Sequence, residues 1–323
     1  MSPLAIVHSA NEWVTRFGAM RPATSLTIGN FDGVHLGHQK ILLAVVERAR
    51  SSNLMSTVVT FDPHPAQVLK PAAAPTMLET IQQRCEHFRE MGVDAVLVQE
   101  FDARFAAIQA SDFVQHFLVE TLGVRDIFVG ENFRFGQKQQ GDVKLLESSG
   151  AAAGFTVNIV EPFALDGVVI SSSGVRQALR DGRVGDARAM LGRPFALAGE
   201  IQTGTGMGRK LIVPTLNLKT DQETLPKNGV YLTQTVVAGQ TYGSVTNIGV
   251  RPTFDGTRLA IESHLFGFSQ YVTSGAMDVR FWDRLRDERK FSGPGELKTK
   301  VLQDIEKAKQ MYASLPAAKM EAT

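Results

Sequence analysis

Residues 24–50, TSLTIGNFDGVHLGHQKILLAVVERAR, constrain the fold of this chain more than any other stretch. Leu26-Thr27-Ile28 is a short β-prone run that breaks at Gly29 and Asn30 and turns through Phe31, Asp32 and Gly33. The spacing of Ile41, Leu42, Val45, Val46 and Ala49 then predicts a helix, entered near Gly37, with one apolar face. His35 and His38 flank Leu36-Gly37 at its mouth, where spare backbone N–H groups and the positive end of the helix dipole point outward together. Gly33 and Gly37 let backbone approach a ligand with no Cβ in the way. A strand, a glycine turn and a helix N-terminus with two imidazoles make an anion site suited to a polyphosphate. Two histidines at that spacing alone would read as surface residues on a helix cap; the strand–turn–helix context favours the phosphate site.

The rest of the first half repeats this alternation. Ala5-Ile6-Val7 is expected as an edge strand, with nothing further legible in residues 1–23. Ser56–Phe61 reads as a buried strand ending in the stiff loop Asp62-Pro63-His64-Pro65, whose prolines have fixed φ. Helices are expected over Thr80–Met91 and Ser111–Leu122, strands over Ala95–Val98 and Asp126–Val129, then the loop Gly130–Gly136 and one more helix and strand through Val160. Such alternation implies a parallel sheet with helices on both faces, a Rossmann-like α/β domain with its ligands at the carboxyl ends of the strands. Those ends carry the odd polar loops 29–38, 61–65 and 130–136. Ser171-Ser172-Ser173-Gly174-Val175-Arg176 leads into a further helix; the hydroxyls either cap it or bind phosphate with Arg176 as a charged fork.

With 323 residues, two domains are expected, and the pattern changes near 185–195. From Phe195 the segments are short, β-branched and separated by glycine-rich turns, which suggests a small antiparallel barrel followed by an amphipathic helix over Gly295–Tyr312. We set the boundary at 188/189. The second half holds Gly204-Thr205-Gly206-Met207-Gly208-Arg209-Lys210, which is no P-loop, yet its glycines could bend a flap of N–H groups around phosphates. Thr215 and Asn217 sit two apart, face one side if extended, and offer neutral oxygens to a magnesium ion. Glu262 shares a strand face with Ala260 and His264; a glutamate there is ordinarily a solvated residue.

Composition excludes several classes. The net charge of +1 gives no global field for nucleic acid, and no stretch reaches membrane-spanning length. Cys85 stands alone, which excludes a disulfide framework or a cysteine metal cluster and points to a reducing cytoplasm. The first residues lack the basic and apolar regions of a signal peptide. Oligomeric state is not legible.

His35-Leu36-Gly37-His38 matches the H-x-G-H pattern of nucleotidylyltransferases, and the longer string Gly29–His38 resembles the bacterial bifunctional riboflavin kinase/FAD synthetase family. Thr60–Pro65, Gly130–Gly136 and Ile170–Arg176 match it too, with Ser173 where threonine is usual. In the second half the matching blocks are Pro214–Asn217, Pro226–Tyr231, Asn247–Phe254, Ile261–Leu265 and Arg286–Phe291, while Leu211-Ile212-Val213 departs from the family pattern. The resemblance implies an N-terminal FMN adenylyltransferase domain, residues 1–188, and a C-terminal riboflavin kinase domain, residues 189–323. It implies that His35 and His38 act in adenylyl transfer with Gly29, Asn30, Phe31, Asp32, Gly37, Ser172, Ser173 and Arg176 around ATP. Pro63, His64, Pro65 and Asn132 would lie near FMN. In the kinase half, Gly206, Gly208 and Arg209 would meet ATP, Thr215 and Asn217 would hold Mg²⁺, Arg286 would meet flavin and Glu262 would be the general base. Substrates would be ATP, riboflavin and FMN, and the products FMN and FAD. Two rivals remain open at this stage: a flavin-binding or flavin-sensing protein without turnover, and a nucleotidylyltransferase with another acceptor.

Overall fold

The computed structural model describes residues 3–20, 22–202, 213–253, 256–289 and 291–315. The chain divides into two compact units, Met1–Ser172 and Ser173–Thr323.

The first unit is built on a six-stranded, all-parallel sheet. Its strands are β1 (Ala5–Val7), β2 (Thr24–Ile28), β3 (Met55–Phe61), β4 (Ala95–Gln99), β5 (Val124–Gly130) and β6 (Thr156–Val160), in the order β1-β4-β3-β2-β5-β6. β1 is an edge strand, as the sequence suggests. A separate antiparallel pair, β7 (Ala164–Leu165) and β8 (Val168–Val169), follows β6 in the chain. Successive strand residues point to opposite faces, so Val59, Ala95 and Leu97 enter one core while Val58, Val96 and Val98 enter the other. The second core is closed by Leu42 and Val46 of α2 (Leu36–Ser52) and by Cys85 and Phe88 of α4 (Ile81–Glu90); the short α3 (Pro65–Leu69) precedes α4. The first core takes Trp13 and Phe17 from α1 (Ala10–Phe17) and Leu146 from α5 (Val143–Ala153). Helices thus cover both faces, the arrangement a parallel sheet requires.

Three local features differ from the sequence reading. Residues 1–23 contain α1 as well as the edge strand: Ser9 accepts from the Glu12 N–H at 3.1 Å, and Glu12 accepts from the His8 N–H at 2.7 Å. That reciprocal cap is the sequence signal overlooked there. The 62–65 loop is shorter than expected, since Pro65 opens α3 with His64 as its N-cap. The predicted helix over Ser111–Leu122 is one α-turn, Ala110–Asp112, continued by a π-helix over Phe113–Thr121. Its wide turns stack Phe113 on Phe117, ring centroids 5.2 Å apart.

The strand order fixes where a ligand can enter. From β2 the chain moves outward through β3 and β4, and later returns to lay β5 against the other edge of β2. The reversal lies between β2 and β5, so the crevice at their carboxyl ends is flanked by the Gly29–Val34 loop and the Gly130–Gly136 loop. Gly136 closes the second loop at φ 70° and ψ 179°, a region open in practice to glycine alone. A Cβ there would lie 2.7–2.9 Å from Ala110. Gly136→Ala is therefore expected to destabilise the first unit by about 2–4 kcal/mol, from backbone strain and overpacking together. Denaturant titration checks it; an unchanged midpoint would mean that the loop relaxes freely.

The second unit begins with α6 (Ser172–Arg180, from its second residue) and α7 (Val184–Leu191), followed by six antiparallel strands. These are β9 (Phe195–Gln202), β10 (Leu216–Lys219), β11 (Gly229–Val237), β12 (Gln240–Thr253), β13 (Gly256–Leu265) and β14 (Ala276–Arg286). They close into a barrel in the order β10-β13-β12-β11-β14-β9. Inside, Tyr231 and Phe281 are buried beside a chain of hydroxyls: Thr235–Ser244, Ser244–Thr233, Thr233–Thr246 and Thr246–Ser263, each 2.7–2.8 Å. The three middle hydroxyls, Ser244, Thr233 and Thr246, can each both give and take, so the chain crosses the polar interior without a break. Outside, Val230, Leu232, Val245 and Trp282 pack under Ile305 and Ala308 of α8 (Pro294–Ala313). The terminal amphipathic helix covers the barrel wall.

Candidate active sites

At the switch point, β2 ends and the chain takes a strained path before α2. Phe31 and Val34 have φ of 49° and 33°, uncommon for any side chain and costly for a β-branched one. Both are buried, and the Phe31 ring packs edge-on against His38 and Phe88. Gln39 Nε2 donates to the Val34 carbonyl at 2.8 Å and helps hold the turn. Strain held by its surroundings is a mark of functional loops.

His35 is the N-cap of α2, and its Nδ1 accepts from the His38 N–H at 3.3 Å. A ring nitrogen that accepts carries no proton, so in this state the His35 proton sits on Nε2. The two imidazoles stack with centroids 3.6 Å apart and planes 19° from parallel. Gly37 leaves room for the pair, because a Cβ there would crowd the His35 ring at 3.2 Å. The paired histidines read from the sequence are thus one rigid unit at the helix mouth.

The other residues assigned to ATP fall in distinct places. Gly29 and Asn30 are half-buried at the end of β2. Asp32 is 2 % exposed; its carboxylate accepts from the Leu78 N–H at 3.0 and 3.1 Å and from the Glu79 N–H at 3.3 Å. Ser172 Oγ donates to the Asp32 carbonyl at 2.8 Å, while Ser173 is exposed. Arg176 lies on α6, one turn beyond Ser172, with 6 % of its surface exposed.

Flanking β2, the end of β3 carries exposed Pro63, then His64 and Pro65, both half-buried. His64 Nδ1 accepts from the Ala66 N–H at 3.1 Å, so this imidazole too caps a helix. Beyond β5, Asn132 is exposed. Between these loops runs a feature the sequence reading missed, a row of phenylalanine rings. Phe61, Phe101, Phe105, Phe113, Phe135 and Phe133 follow one another at centroid spacings of 5.4–6.2 Å. Phe61, Phe101, Phe105 and Phe133 are only half-buried. The signal was compositional: 19 phenylalanines against 4 tyrosines and 2 tryptophans.

On the barrel, strand register gathers the polar residues. Asn217 of β10 lies opposite Glu262 of β13, which lies opposite Asn247 of β12. Directly opposed antiparallel residues project to the same side, so the three form one row, Asn-Glu-Asn. Asn247 alternates with the inward-facing Thr246 and Ile248, which puts the row on the outer wall. Continuing across β11 through Val230, the register reaches Arg286 of β14. Arg286 Nε donates to Asp304 of α8 at 2.7 Å, and its terminal nitrogen donates to the Asp287 carbonyl at 2.9 Å. Thr215 immediately precedes β10. Gly206, Gly208 and Arg209 lie outside the described residues.

A parallel sheet with an anion-binding helix mouth at its switch point, followed by a closed barrel with a carboxylate between two amides, defines a class of two-unit phosphoryl- and nucleotidyl-transfer proteins. The comparisons with known proteins narrow it. Residues 19–174 match the family described as FAD synthetase, and residues 191–312 match the one described as riboflavin kinase. Bifunctional riboflavin kinase/FMN adenylyltransferase of Escherichia coli K12 is 37% identical over 89% of this chain and 92% of its own. The protein of that name from Pseudomonas fluorescens is 39% identical over the same shares. A solved Streptococcus pneumoniae structure, titled a macrolide-efflux protein, superposes with a TM-score of 0.83 at 27% identity, covering 95% of this chain and 98% of its own. The chain belongs to the bifunctional riboflavin kinase/FMN adenylyltransferase family.

Proposed function

We propose that the family's two reactions are divided along this chain, with adenylyl transfer assigned to residues 1–188 and the kinase reaction to 189–323. The enzyme phosphorylates riboflavin to FMN with ATP, and adenylylates FMN to FAD with release of pyrophosphate. The observation that carries the division is the stacked His35–His38 pair at the mouth of α2, beside the strand-order reversal. In the transferase reaction a phosphate oxygen of FMN attacks the α-phosphorus of ATP. The P–O bond to pyrophosphate breaks, and the protein's work is alignment and charge stabilisation. We assign that stabilisation to His35, His38 and the α2 N–H groups, with Gly29, Asn30, Phe31, Asp32 and Gly37 shaping the loop. α6 groups with the barrel in the fold; we give it to the transferase because Ser172, Ser173 and Arg176 are our proposed phosphate contacts. Pro63, His64, Pro65 and Asn132, beside the phenylalanine row, are assigned to FMN.

In the kinase reaction, Glu262 is assigned as the base that takes the proton of the riboflavin 5′-hydroxyl as that oxygen attacks the γ-phosphorus, and the bond from that phosphorus to the β–γ bridging oxygen breaks to release ADP. Arg286 is assigned to flavin, and Gly206, Gly208 and Arg209 to the triphosphate. The oxygens of Thr215 and of Asn217, the latter opposite Glu262 in register, are hard donors that suit Mg²⁺. When bound with ATP, the ion neutralises triphosphate charge.

Among the described residues no helix is long and apolar enough to cross a membrane. We propose a cytoplasmic enzyme with small-molecule partners. Purified protein given riboflavin, ATP and Mg²⁺ is expected to yield FMN and then FAD. Product that stops at FMN would remove the transferase assignment, and absence of any phosphorylated flavin would remove both.

A further inference from the structure

We infer that Arg84 is a positioning residue for adenylyl transfer, fastening the phosphate loop after β2 to the end of β3. It stands one turn into α4 and is 3 % exposed. One terminal nitrogen donates to Thr60 Oγ1 at 3.2 Å, and Thr60 Oγ1 donates in turn to the Asn30 carbonyl at 3.1 Å. The other terminal nitrogen lies 3.7 Å from the Asp32 carboxylate. Asp32 holds the Leu78 and Glu79 N–H groups, which lead into α4 itself. Arg84 therefore closes a ring through Thr60, Asn30, Asp32 and the start of its own helix. Thr60 is followed directly by Phe61 and the Asp62–Pro65 loop, so the ring joins two strand-end loops at the crevice.

Stability alone does not account for this residue. The ion pair at 3.7 Å is too long for a hydrogen bond, and Arg84 Nε is buried with no partner among the described residues. A buried ion pair so poorly satisfied generally adds no net stability over apolar residues at both positions, although replacing Arg84 alone takes the paired cation from the Asp32 carboxylate and costs stability. Nor does the helix favour it, since a cation gains nothing near the positive end of the dipole. What an apolar residue would lose is the tie from Thr60 and Asp32 to the backbone that approaches ATP. A shift of about 1 Å in a positioning element costs on the order of 10²-fold in rate.

The inference rests on the transferase reading above, and the riboflavin kinase activity of the same polypeptide serves as an internal control. In full-length Arg84→Met, kcat for FMN to FAD is expected to fall about 10- to 100-fold, with a much smaller change in KM for ATP and riboflavin phosphorylation unchanged. Arg84→Lys, which keeps the charge but not the fork, is expected to fall between the two. Thr60→Val removes the same link from its other end and keeps the volume, so it carries the test if Arg84→Met does not fold. Added to Arg84→Met, it should cost little more than either change alone. Wild-type FAD formation with an undiminished rate in Arg84→Met would overturn the inference alone. So would additive effects of the two substitutions, or a parallel loss of kinase activity. If the unaltered enzyme makes no FAD from FMN, the transferase reading falls first and takes the inference with it.

Discussion

In Glu262→Gln, riboflavin phosphorylation is expected to fall about 10²- to 10⁴-fold, the range for loss of a general base, while supplied FMN is still converted to FAD at the wild-type rate. The substitution keeps size and shape, and it keeps an oxygen for the neighbouring amides. What it removes is the capacity to take a proton. Glu262 is flanked in register by Asn217 and Asn247, with Ala260 and His264 next along its own face. Both flanking residues are neutral, so no cation adjacent in register is stranded when the carboxylate goes. The inner face of β13 is held separately by the Ser263–Thr246 hydroxyl bond, so barrel closure should survive. Steady-state rates measured separately with riboflavin and with FMN decide the matter. Equal loss of both reactions would make Glu262 a structural residue, and undiminished phosphorylation would remove it from catalysis.

Why the sequence revealed this row only in part is a matter of range. That Glu262 shares a face with His264 follows from strand alternation, which is local. That Asn217 and Asn247 flank it depends on pairings across 45 and 15 positions of chain, and periodicity carries no register between strands. The same limit applies at the other site. The β2–loop–α2 unit was legible because strand, glycine turn and apolar helix face follow one another directly. The contact of Asp32 with the Leu78 and Glu79 N–H groups was not, because it joins residues 46 and 47 positions apart in the chain. β10 was legible only as the conditional that Thr215 and Asn217 share a side if extended, because four residues give too few alternations to read. The paired histidines were evident, but not that one imidazole spends its Nδ1 on capping the helix that presents the other.

That last distinction leads to a contrast between the two histidines. His38→Ala is expected to lower FAD formation about 10²- to 10³-fold, the cost of removing one donor aimed at transition-state charge, with riboflavin phosphorylation unaffected. Alanine is the strongest helix former, and the backbone N–H at this position, which His35 caps, remains after the change. The fold of the first unit should therefore be nearly untouched. His35→Ala differs in kind, because it removes the N-cap of a 17-residue helix whose Leu42, Val45, Val46 and Ala49 are buried. It should lower FAD formation and also cost about 0.5–2 kcal/mol of stability. Asparagine at 35 restores a capping oxygen but no imidazole, so His35→Asn is expected to recover the stability and leave the activity low. Denaturation midpoints and FMN-to-FAD rates for the three variants separate the roles. Undiminished FAD formation in His38→Ala would end its assignment to the phosphates, and recovery of activity in His35→Asn would reduce His35 to a cap.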